Sequence, residues 1–157
     1  MRKIFSLLSV FVLTIIFFTS FSSQASAAVA SKSYTQTLKY GNYQNTMSYN
    51  GSERWKFAQM YLITNFQVNQ NGLSINEVRQ TVETFWPYQV TKEGKKIQTK
   101  TSSGSNQTAK AYGDFHLTYI TKVIGYETDY RLQTTMKVTK IDRVKKTVTV
   151  QITQTVN

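Results

Sequence analysis

The segment Thr147–Val156 reads Thr-Val-Thr-Val-Gln-Ile-Thr-Gln-Thr-Val, a near-unbroken alternation of polar and β-branched apolar residues. Val148, Val150, Ile152 and Val156 fall on one face, and Thr147, Thr149, Gln151, Thr153 and Thr155 on the other. A period of two belongs to a strand, whose successive side chains point to opposite sides, and β-branched residues suit its pleated surface. One buried and one solvated face make this an antiparallel strand. The stretch Tyr130–Lys140 alternates in the same way, with Tyr130, Leu132, Met136 and Val138 opposed to Arg131, Gln133, Thr135, Lys137 and Thr139. A third such run carries Phe115, Leu117, Tyr119 and Val123 and stops at Gly125. The short connection Ile141–Lys145 suits a hairpin, so the C-terminal half reads as an antiparallel meander.

The middle of the chain has a different rhythm. After Asn71-Gly72, Ser74 precedes Glu77 by three residues, as in a capping box, and Ile75, Val78, Val82, Phe85 and Trp86 follow until Pro87. That spacing predicts a helix. Ser52–Phe66 fits either a helix (Trp55, Leu62, Phe66) or a strand (Phe57, Tyr61, Ile63), and the propensities of Ala58, Gln59 and Met60 lean it to helix. The runs Tyr34–Tyr40 and Tyr43–Tyr49, split by Gly41-Asn42, read as a Tyr/Thr-rich hairpin, and Lys100–Lys110 as a loop. The expected fold class is therefore α+β: an antiparallel β-meander sheet packed with one or two helices. The run Asn71–Val78 resembles the helix start of small secreted helix-plus-sheet modules such as the outer-membrane assembly lipoproteins and the β-lactamase-inhibitor proteins. Their Gly-x-Pro is replaced here by Phe85-Trp86-Pro87. The resemblance implies a binding module.

Export is the expectation at the N-terminus. Arg2 and Lys3 precede an almost wholly apolar stretch, Ile4–Phe18, and the small-residue signal Ala25-Ser26-Ala27. This is the layout of a cleaved secretory signal peptide over residues 1–27, followed by a single domain over 28–157. The apolar stretch is shorter than the roughly 20 residues a spanning helix needs. Without Arg2 and Lys3, seventeen Lys and Arg face eight Asp and Glu, so the exported part keeps a strong positive charge. A secreted chain with no Cys excludes disulfide scaffolds, thiolate metal sites and cysteine nucleophiles, and fits a bacterial exporter.

Catalytic patterns are sparse. Asp114 and the sole histidine, His116, share a strand face, but no Gly-x-Ser-x-Gly elbow offers a nucleophile. Glu127 and Asp129 share a face beside Gly125, where acidic residues suit a solvated turn. Neither metal-ligand spacing nor a phosphate-cradling glycine loop occurs, so neither cofactor nor metal is expected. No catalytic residue is assigned, and the expectation is a non-enzymatic protein.

Charge is the stronger signal. Arg131, Lys137, Lys140, Arg143, Lys145 and Lys146 gather on the last hairpin against Asp142 alone, and form a candidate site for an anionic partner. Tyr34, Tyr40, Tyr43 and Tyr49, with Asn and Gln neighbours, form a candidate aromatic surface. No nucleic-acid-binding signature accompanies the lysines. The expected function is a secreted binding module acting on an anionic cell-wall polymer, a membrane surface or an extracellular protein. The alternatives are a membrane-active toxin or bacteriocin and a proteinaceous inhibitor of an extracellular enzyme.

Overall fold

A computed structural model describes residues 30–51, 58–104, 107–120 and 125–157. The signal peptide expected over 1–27 lies outside the described residues, as do the first six positions of the Ser52–Phe66 segment.

The domain is all-β, built from two antiparallel sheets with no helix among the described residues. This corrects the α+β expectation. The strands are β1 (Ala30–Lys39), β2 (Gly41–Tyr49), β3 (Ala58–Asn69), β4 (Gly72–Thr84), β5 (Tyr88–Thr99), β6 (Thr101–Ser102), β7 (Thr108–Ile120), β8 (Gly125–Asp142) and β9 (Thr147–Val156). One sheet runs β1-β9-β8-β7-β5 and the other β2-β3-β4-β6. The alternating C-terminal segments form the consecutive antiparallel pairs β7–β8 and β8–β9, with Val148, Val150, Ile152 and Val156 buried.

The expected helix after Asn71-Gly72 is strand β4, and a β-bulge explains the misleading rhythm. Phe66 of β3 pairs with Ile75, whereas the next residue back, Asn65, pairs with Glu77, so Asn76 is an extra residue in β4. The insertion moves the inward position from Ile75 to Val78, an interval of three, which mimics a helical turn. Two ordinary strand steps then lead from Val78 to Val82, with Gln80 at the inward position between them. Gln80 lies where Gly113 of β7 has no side chain, and its Nε2 donates to the Asp114 carbonyl at 2.7 Å. A polar residue on an inner face thus removes the apolar marker that would have exposed the period of two. The resemblance to helix-plus-sheet modules falls with the same observation. In β3, Ala58, Met60, Leu62, Thr64, Phe66 and Val68 are all buried, so alternation overrides the helical propensity of its first residues.

The N-terminal tyrosine runs are not a hairpin. β1 pairs with β9 in one sheet and β2 with β3 in the other, and the chain changes sheet at Tyr40, whose N–H donates to the Lys146 carbonyl at 3.1 Å. Part of the expected Lys100–Lys110 loop is ordered too. Strand β6 pairs with the start of β4, and Ser102 Oγ accepts from the Val138 N–H at 2.9 Å, linking the two sheets. Between the sheets lies one core, in which Phe115, Met60, Leu62, Ile75, Leu132 and Met136 are the largest fully buried side chains. A small polar network crosses it. Tyr34 donates to Asn45 Oδ1 at 2.6 Å, and Asn45 Nδ2 donates to Thr134 Oγ1 at 3.4 Å.

Candidate functional site

Two clusters of charge occupy different parts of the β5–β7–β8–β9 sheet. The first is the β8–β9 turn. Asp142 accepts from the Lys145 N–H at 2.9 Å, which commits the one acidic side chain of the turn to holding its shape. Lys146 completes the reversal with φ of 52°. Arg143, Lys145 and Lys146 are exposed around Val144, itself 95% exposed. Lys39 lies beside them, because β1 places it opposite Thr147. Lys140 follows a bulge in β8 and is exposed, while Lys137, opposite Gln151, is half-buried on the outer face. None of these cations forms an ion pair with a described carboxylate.

Arg131 stands apart from that group. It lies seven residues or more upstream of the bulge on β8, and its guanidinium donates twice to Asp114, at 2.7 and 3.0 Å. It also sits 4.2 Å from the centre of the Tyr112 ring, a cation–π contact. Its charge is already matched, so five of the six predicted cations remain available to an anion.

The four candidate tyrosines are half-buried and pack against the core. Tyr34 is held by Asn45, and Tyr43 stacks on Phe66 with ring centres 5.8 Å apart while donating to the Lys39 carbonyl. Tyr49 meets Tyr130 edge-on at 5.1 Å. Tyr43 borders an open cleft of about 480 Å³, lined also by Asn42, Gln44, Asn65 and Asn76, and Tyr49 borders a smaller one of about 300 Å³ with Ser48, Asn50 and Gln59. The exposed aromatic surface lies instead at the β4–β5 turn, where Trp86 is 87% exposed beside Phe85. Their spacing after Val78 and Val82 in the sequence imitates the end of an amphipathic helix.

Tyr130 is the most perturbed tyrosine. Burial, reinforced by Tyr49 and Tyr126, pushes its hydroxyl up to about 12, and that hydroxyl donates to the Gly51 carbonyl at 3.0 Å. A folded-state value above the ordinary 10 means its contribution to stability is complete below pH 10 and is lost as pH rises from 10 through 12. Tyr130→Phe is expected to destabilise the domain by about 1 kcal/mol, the worth of one hydrogen bond. It should also flatten the fall in melting temperature between pH 10 and 12; an unchanged alkaline slope would refute the assignment.

The second cluster is on the outer face of β5, β7 and β8. Cross-strand pairing sets His116 opposite Asp129, with Nδ1 to Oδ1 at 2.6 Å, while Glu127 lies 4.0 Å from Nε2. The hydrogen bond to Asp129 raises the His116 value above the ordinary 6.5, and partial desolvation opposes it. The imidazole therefore stabilises the fold most below pH 6.5, and that contribution fades as pH rises through the raised value. Asp114 is turned to Arg131, whereas Glu127 and Asp129 of β8 gather on His116 of β7. The register of the β7–β8 hairpin, with Ile120 opposite Gly125, is the signal that joins them.

No known protein family matches the chain. No curated protein matches it either. Among solved structures, a hypothetical protein from Listeria monocytogenes EGD-e is similar at 10% identity with a TM-score of 0.43, over 80% of this chain and 78% of that one.

Proposed function

We propose that this protein is a secreted, non-enzymatic binding module whose basic β8–β9 end engages an anionic polymer at the cell surface. The observation that carries the reading is the turn itself: Arg143, Lys145 and Lys146 are exposed, unpaired with any described carboxylate, and joined by Lys39 and Lys140. Clustered charges within one Debye length, about 8 Å at physiological salt, sum their fields where scattered ones are screened from one another. Export to the surface rests on the N-terminal sequence. There the abundant polyanions are phosphate-bearing wall polymers and lipid headgroups.

Replacing Arg143, Lys145 and Lys146 together by Gln is expected to weaken binding to purified anionic cell walls by about tenfold or more in dilute salt, since each cation near an anionic surface contributes on the order of 1 kcal/mol. The parent should lose much of its affinity between about 50 and 300 mM salt and the variant little. Equal binding by both proteins at both salt concentrations refutes the reading.

One observation favours a second reading, membrane activity: Trp86 and Phe85 project at a turn, and aromatic side chains partition into bilayer interfaces. Leakage of dye from anionic vesicles separates the two, because wall binding leaves vesicles intact. Leakage abolished by Trp86→Ser would favour the second.

A further inference from the structure

We propose that Glu93, His116 and Asp129 form a binding site for a divalent first-row transition ion of the zinc type on the outer face of β5, β7 and β8. One ligand atom from each of the three side chains lies within 4.8 Å of the others. Each comes from a different strand, and the site exists only because three neighbouring strands align there. His116 on β7 pairs with Thr91 of β5 on one side and Asp129 of β8 on the other. Glu93 is the extra residue of a β-bulge, since Lys92 pairs with Phe115 and Gly94 with Asp114.

The charge balance points to a cation. The chain carries 19 Lys and Arg against 8 Asp and Glu, yet three of those eight, Glu93, Glu127 and Asp129, converge on its sole histidine. Arg131 is committed to Asp114, and no Lys or Arg pairs with Glu93, Glu127 or Asp129 among the described residues. Three neighbouring carboxylates therefore share a single imidazole, and a divalent ion would relieve their repulsion.

The donor set selects the kind of ion. An imidazole nitrogen with carboxylate oxygens suits zinc, whereas calcium prefers oxygen alone. Zinc bonds of about 2.0–2.2 Å place neighbouring ligand atoms about 3.3 Å apart in a tetrahedron. Asp129 must then withdraw slightly from its 2.6 Å contact and Glu93 must close in. Both are exposed, so solvent-facing rotamers allow it, with water completing the shell.

The experiment is calorimetric titration of the full-length chain with zinc chloride and, separately, calcium chloride. The imidazole resonances of the only histidine are followed alongside. One zinc per chain is expected, with His116 resonances moving in step with saturation and calcium binding at least about tenfold weaker. His116→Ala and Glu93→Gln should each weaken zinc binding by about tenfold or more. Should either variant lose its circular dichroism spectrum, Asp129→Asn decides, because that side chain is 77% exposed and isosteric replacement leaves the strand intact. No zinc binding, zinc binding unchanged by these variants, or equal affinity for calcium overturns the proposal, the last by showing only a diffuse acidic patch.

Discussion

Phe115→Ala is expected to remove about 3–5 kcal/mol of stability, the cost of deleting a large buried aromatic side chain and leaving a cavity behind. Phe115 is fully buried on the inner face of β7 and is the largest such side chain in the core. Whole domains are stable by only about 5–15 kcal/mol, so the variant should melt lower by about 10 °C or more and unfold at a much reduced denaturant midpoint. The same strand carries Asp114 and His116 on its other face, where exposed polar substitutions should cost far less. A cost below about 1 kcal/mol for Phe115→Ala would mean that the two sheets do not enclose this ring.

Gly72→Ala is expected to cost about 3 kcal/mol or more, through the backbone and not the core. Gly72 has φ of 121°, which side-chain-bearing residues rarely adopt, and a β-carbon there would lie 2.2 Å from the Ser102 carbonyl oxygen. The conformational strain alone amounts to about 1–3 kcal/mol. The clash would also displace β6, and with it Ser102, which accepts from Val138 and donates to the Gln107 carbonyl at 2.6 Å. Urea denaturation tests this against Gly125→Ala, where a β-carbon meets nothing within 4 Å. The control should shift stability by less than about 1 kcal/mol. Equal effects at the two positions would refute the close approach of β4 and β6.

The C-terminal half of the fold was legible because its strands need nothing from outside to show their period. In β7, β8 and β9 the inner positions are nearly all apolar and the outer ones polar, so alternation survives in the residues alone. That alternation also placed Asp114 with His116, and Glu127 with Asp129, on the correct faces. Basic crowding at Arg143–Lys146 was equally readable, because a short turn between two clear strands leaves its side chains few places to go.

Tertiary structure decided the rest. The β4 bulge at Asn76 and the inward Gln80 turned a strand into an imitation of a helix, and both make sense only against β3 and the space beside Gly113. β1 and β2 look alike in composition, yet they separate into different sheets because β9 offers β1 an open edge. Arg131 reads as one more cation until β7 brings Asp114 to within 2.7 Å. Glu93 stands between Lys92 and Lys95-Lys96 in the sequence, and only the pairing of β5 with β7 brings it beside His116. Alternation along a strand is a local property of backbone geometry, fixed by neighbours in sequence. Register, bulges and sheet order are set by pairing between residues far apart in the chain, and so is every contact that joins charges into a site.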